Sequence, residues 1–150
     1  VNGRVGGLGG LDLDEGLSVP ADSSIAEIQD EGIQITFEDS LSWRQQISVV
    51  DTMNTQLKVA NLLLGQTFES ITFKEQIVDI FDRSVLLGVE ENLPADQISD
   101  TQQGERVSPS IKFGDVFVIR KGTIYYLIKC ENLNIELDNN GDSYDFTIKY

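Results

Sequence analysis

Alternation of apolar and polar positions is the strongest signal along the chain, and it is clearest in the last third. Val116 to Ile119, a turn at Arg120-Lys121-Gly122-Thr123, and Ile124 to Cys130 predict a β-hairpin. Leu133, Ile135 and Leu137 alternate with polar residues beyond it, and Asn139-Asn140-Gly141-Asp142 suits the positive φ angles of a tight turn. Tyr144, Phe146, Ile148 and Tyr150 then share one side of a last strand. Together these elements predict an antiparallel meander.

Upstream, Ile33, Ile35 and Phe37 share one side of an extended segment, and Leu41 and Trp43 repeat the pattern. Two stretches are near copies. Phe37-Glu38-Asp39-Ser40-Leu41-Ser42-Trp43-Arg44-Gln45-Gln46-Ile47 matches Phe68-Glu69-Ser70-Ile71-Thr72-Phe73-Lys74-Glu75-Gln76-Ile77 with one residue deleted, and a weaker third copy starts at Phe81-Asp82-Arg83-Ser84-Val85. Such a repeat suggests equivalent strand units, with Trp43 and Phe73 on the core side of their strands. A helical alternative exists. Trp43, Ile47, Val50, Met53, Leu57, Ala60 and Leu64 form an amphipathic stripe, and Thr72 and Glu75 have capping-box spacing ahead of Ile77, Ile80 and Phe81. Scarce alanine and abundant Ser, Thr, Val and Ile favour strands. Residues 90–110 are polar, contain Pro94, Gly104 and Pro109, and read as a loop suited to contacts.

Residues 1–24 read as an extended arm. Gly3, Gly6, Gly7, Gly9 and Gly10 make a helix or central strand costly in backbone entropy. Val5, Leu8 and Leu11, interleaved with them, would let the arm lie along a neighbouring subunit. The fold expected is therefore mainly β: an antiparallel β-sandwich or meander over residues 25–150, with a Gly-rich N-terminal arm at 1–24 and one helix within 43–64 as the alternative.

The net charge of −14 argues against a phosphate backbone as partner, because that needs clustered Lys and Arg. An anionic membrane surface is disfavoured likewise, and no apolar run is long enough to cross a bilayer. The chain begins at Val1 without a basic-then-apolar leader, which reads as a processed product or an excised fragment. Cys130, the only cysteine, lies in an apolar run and reads as a buried structural thiol.

With no histidine, Ser-His-Asp and Cys-His arrangements are impossible. One cysteine cannot build a thiolate metal site, and no phosphate-binding loop is present. Asp138, Asn140 and Asp142 have the spacing of a calcium loop, but Ser143 replaces its glycine and Lys149 its closing carboxylate. A hairpin turn explains the same residues better, so no cofactor is expected, with calcium as the alternative. Asp12, Asp14 and Glu15 read as a solvated acidic cluster on the arm. Among aromatics, Tyr125 is out of phase with Ile124, Tyr126 and Ile128 and is the one expected to be exposed. Candidate assembly residues are Val5, Leu8, Leu11, Tyr125 and Tyr150.

The tandem Asp39-Ser40-Leu41-Ser42-Trp43 and Glu69-Ser70-Ile71-Thr72-Phe73 units resemble the short Asp-Ser-aliphatic-Ser/Thr repeats of tailed-phage appendage proteins. The ending from Gly122 to Ile148 is similar to terminal strands in that kind of protein. Tyr144 to Tyr150 alone is similar to the endings of Bacteroidota surface lipoproteins, though no lipidation cysteine accompanies it. The phage resemblance implies a non-enzymatic structural subunit of a virion or surface assembly, found on a virion or outside the cell. Its partners would be protein subunits, engaged through sheet edges and the arm. The alternatives are a secreted glycan- or protein-binding β-sandwich and, third, a carboxylate-only hydrolase, for which two acids suffice.

Overall fold

The computed structural model describes residues 8–21, 23–31, 33–35, 41–43, 45–50, 54–84, 108–135 and 142–150, with backbone alone at 33–35 and 41–43. Two four-stranded antiparallel sheets and one short helix make up the fold. The first sheet has the order β2-β1-β3-β6, from β1 (Gly10–Asp12), β2 (Leu17–Val19), β3 (Ile28–Asp30) and β6 (Ile47–Val49). β4 (Ile33–Ile35) and β5 (Leu41–Trp43) pair with each other as a separate ribbon. The second sheet is a meander in chain order: β7 (Thr55–Val59), β8 (Val116–Lys121), β9 (Ile124–Asn134) and β10 (Ser143–Lys149). The helix α1 (Lys74–Arg83) lies between β7 and β8 in sequence.

The two faces of the meander explain the layering. Side chains alternate across a strand, so Phe117, Ile119, Tyr126, Ile128 and Cys130 point to one side. There they share a core with Leu11, Leu13, Ile28, Ile47 and Val49 of the first sheet. This is the interior of a β-sandwich. Val118 and Leu127, in the opposite phase, face Phe68, Ile71, Ile77, Ile80 and Phe81. The helix layer thus covers the second face, and Ile77, Ile80 and Phe81 supply the spacing that buries one side of α1. Each contributes about 1.5–3 kcal/mol through burial. The sheet's continuous apolar runs follow from its being covered on both sides.

The hairpin between β8 and β9 turns at Gly122 and Thr123, with Lys121 opposite Ile124 and Gly122 at φ 58. That left-handed angle is what a two-residue hairpin demands. The strands reach further into the turn than the sequence pattern predicts. The last strand falls where its alternation places it, and β9 carries a register shift opposite Asp145 and Phe146. The turn expected at Asn139-Asn140-Gly141-Asp142 lies outside the described residues except for buried Asp142, and the loop expected at 90–110 is described only from Ser108.

The readings of the arm and of the repeats are corrected. The described part of the arm is a hairpin inside the first sheet: β1 pairs with both β2 and β3, and Leu11 and Leu13 are core residues. Gly10 has a structural use there, because a Cβ would stand 2.7 Å from the Pro20 carbonyl oxygen. The two repeats are not equivalent. Leu41–Trp43 is a strand, whereas Ile71 to Phe73 leads into α1. Phe73 is 67% exposed rather than in the core. Its place as the residue preceding the helix explains this, and the Gln76 side chain accepts hydrogen bonds from the Thr72 and Phe73 N–H groups. The third copy falls on the end of α1 and Ser84. The described residues of 43–64 include β6 and β7 and no helix.

Ser84 closes α1, its N–H bonding to the carbonyls of Ile80 and Phe81. Lys58, from β7, sits over the Phe81 ring at 3.9 Å, and the same ring meets Tyr125 edge-on at 5.4 Å. Burial lowers the Lys58 pKa. The outer edge of β6 is covered: Ser108 N–H donates to Ile47 O (2.8 Å), and Ile111 N–H donates to Gln45 O (2.7 Å).

Candidate functional site

Three acids from the first sheet converge. One carboxylate oxygen from each of Asp12, Asp14 and Glu27 lies within 4.8 Å of the others. Asp12 shapes the β1–β2 turn by accepting from the Asp14 and Glu15 N–H groups at 3.0 and 3.1 Å. Glu27 is buried and accepts from the Leu13 N–H at 2.7 Å. The second sheet supplies the complement. Lys121 at the end of β8 donates to Asp14 (3.1 Å) and to Glu27, and the Tyr126 hydroxyl of β9 donates to Asp14. The Asp12–Asp14 cluster is therefore part of a tie between sheets rather than a solvated arm.

The chemistry of this tie follows from its protonation. The Tyr126 hydroxyl and then Lys121 hold the Asp14 carboxyl below the usual carboxylate range. The bond to Glu27 raises the Lys121 pKa, and burial with Asp14 beside it raises that of Tyr126. All three shifts move away from neutrality, opposite to what a working general acid or base requires. The ammonium of Lys121 sits against two of the three carboxylates, Asp14 and Glu27.

The second feature is the outer edge of β10. It ends its sheet, and from Asp145 to Tyr150 no backbone hydrogen bond to another described residue covers it. A depression flanks each face of this edge. On the helix side, a groove of about 400 Å³ lies between Ile71, Phe73, Lys74 and Ile77 and the β10 residues Ile148 and Lys149, with Tyr150 at its end. On the sandwich side, a hollow of about 170 Å³ is lined by Leu11, Gly16 and Ser18 against Tyr144, Phe146 and Ile148. Lys149 donates to the carbonyls of Phe68 (2.6 Å), Ile71 (2.9 Å) and Glu69 (3.4 Å) and lies 4.4 Å from the Phe68 ring centroid.

The residues singled out from sequence are scattered. Tyr150, 74% exposed, stands at the groove, its ring 6.1 Å from that of Tyr126. Leu8 is exposed elsewhere on the surface, and Val5 lies outside the described residues. Leu11 is 5% exposed, so it floors the hollow instead of reaching out to a neighbour. Tyr125 is half-buried, because its face of β9 is the one α1 covers. Phe73 was hidden by its apolar character, although Thr72 and Glu75 marked a helix start beside it. Of the calcium candidates, Asp138 and Asn140 lie outside the described residues.

Cys130 is buried, and burial pushes its thiol up to about 11. Modification by a thiol reagent at pH 8 is expected to be at least about a hundredfold slower in native than in urea-unfolded protein. Comparable rates in the two states would show the thiol to be accessible.

Fold and site together define a two-sheet β-sandwich with a covered second face and, among the described residues, an edge strand without a neighbour on its outer side. No match was found to a protein-family model, to a curated protein or to a solved structure. Among the described residues no helix is long and apolar enough to cross a membrane.

Proposed function

We propose that this protein is a non-enzymatic structural or binding subunit that meets protein neighbours through its sheet edges. The observation that carries the reading is the uncovered β10 edge with a depression on either face. An open edge offers main-chain donors and acceptors to another strand, while flanking hollows take alternate side chains. The guards that usually blunt an edge are thin here. β10 has no proline, and its register shift resides in β9. The Asp14–Lys121–Tyr126 tie supports the non-enzymatic part of the reading, because the shifts at all three groups hold them in fixed protonation states around neutral pH. The resemblance to phage appendage repeats suggests a virion or surface assembly as the setting.

Light scattering over a concentration series tests the assembly reading. The mass is expected to rise above the 16.7 kDa of one chain as concentration increases. A strictly monomeric mass up to about millimolar protein, where even weak specific contacts populate, would overturn it.

A further inference from the structure

We infer that β10 pairs antiparallel with β10 of a second copy, about a two-fold axis through Thr147. This rests on the sheet-edge reading above and adds the partner and the register. The sequence Asp145-Phe146-Thr147-Ile148-Lys149 is complementary to its own reverse. With Thr147 facing Thr147, Phe146 falls opposite Ile148 and Asp145 opposite Lys149. Each is a favourable cross-strand combination: Thr with Thr, aromatic with β-branched, acid with base. A two-fold axis makes every unlike pair occur twice, and it joins identical patches as an isologous contact requires.

The faces agree with this register. Exposure along β10 alternates, with Asp145 and Thr147 outward and Tyr144 buried. Asp145, Thr147 and Lys149 therefore lie on the side of the helix layer, and Tyr144, Phe146 and Ile148 on the side of the sandwich. The irregularity opposite Asp145 leaves an extra residue in β9, so β10 keeps its own alternation. The helix-side depression falls where the second copy needs it. This groove, whose charged residues are Lys74 and Lys149, receives Asp145 of the second copy.

Charge points the same way. Among the described residues Lys149 has carbonyl acceptors but no carboxylate within ion-pair reach. Asp145 has the Asn132 amide at 3.2 Å and no cation. On a chain of net charge −14, two copies repel one another except where such opposite charges are matched. Pairing joins the two meanders into one continuous sheet through the dimer.

Cysteine trapping reads the register directly, because buried Cys130 stays out of the reaction. Under mild oxidation Thr147→Cys is expected to give a disulfide-linked dimer, since position 147 faces itself across the axis. Asp145→Cys, facing position 149, is expected to remain unlinked. Asp145→Lys, which sets lysine against Lys149 twice over, is expected to weaken self-association by about tenfold or more in sedimentation. Both substituted positions are exposed, and circular dichroism checks that the fold is kept. If the unmodified chain self-associates while Thr147→Cys fails to link, or Asp145→Cys links as readily, the register is wrong and the broader reading stands. If the unmodified chain never self-associates, both fall.

Discussion

Replacing Gly10 by valine is expected to destabilise the protein by about 3 kcal/mol, read as a lowered urea midpoint at an unchanged slope. The first side-chain carbon would stand 2.7 Å from the Pro20 carbonyl oxygen, 3.0 Å from the Ala26 Cβ and 3.1 Å from the Val19 carbonyl oxygen. Two of these neighbours are backbone, so the clash cannot be relieved by rotating a side chain. β1 is flanked by β2 and β3, which leaves it no free side to shift toward. A freely moving arm would absorb the same substitution within about 0.5 kcal/mol. That smaller result would remove β1 from the sandwich.

Lys121→Ala is expected to cost about 2–3 kcal/mol. The value lies below that for a wholly buried pair because the Lys121 side chain keeps 37% of its exposure. The cost arises mainly at Glu27, whose side chain is 3% exposed and would be left without its ammonium partner. Adding Glu27→Gln to the variant should restore part of the loss, since an amide oxygen still accepts the Leu13 N–H. The pH dependence has a definite sign. Lys121 has a raised pKa in the folded protein, so its contribution is full below 10.5 and fades as pH rises through the folded value. Asp14 has a lowered one, so its contribution is full above 3.8 and fades as pH falls through the folded value. The deficit of the alanine variant should therefore be widest between these limits and shrink toward both. A deficit independent of pH would mean that packing of the lysine stem, rather than its charge, holds the sheets together.

The meander was legible because β10 alternates cleanly and the apolar runs of β8 and β9 are joined by a glycine turn. In β8 and β9 both faces are apolar, and the sequence offered no way to tell that Tyr125 and Val118 meet a helix. Glycine misled at residues 1–24. Its abundance signals entropy, while Gly10 is there because two chains approach closely, a fact carried by Pro20 and Ala26. The repeats misled for a different reason. Near-identical local patterns ended as a strand at Leu41–Trp43 and as the approach to a helix at Ile71–Phe73. The spacing of Ile77, Ile80 and Phe81 was a readable helix signal, overridden by the likeness to the earlier copy. The tie was invisible because Asp14 and Lys121 are 107 residues apart. The self-matching of residues 145–149 acquires meaning only once β10 is known to be an edge.

The grip of Lys149 on the 68–71 loop has a dynamic consequence. The helix layer cannot swing off the meander without stripping three oxygens from one ammonium, and that ammonium belongs to the outermost strand. Fraying of the rim and loosening of the helix are thus one motion. Any neighbour that quiets the rim will also still the helix across the sheet, so occupancy at one border would be felt as slower amide exchange on a face it never touches.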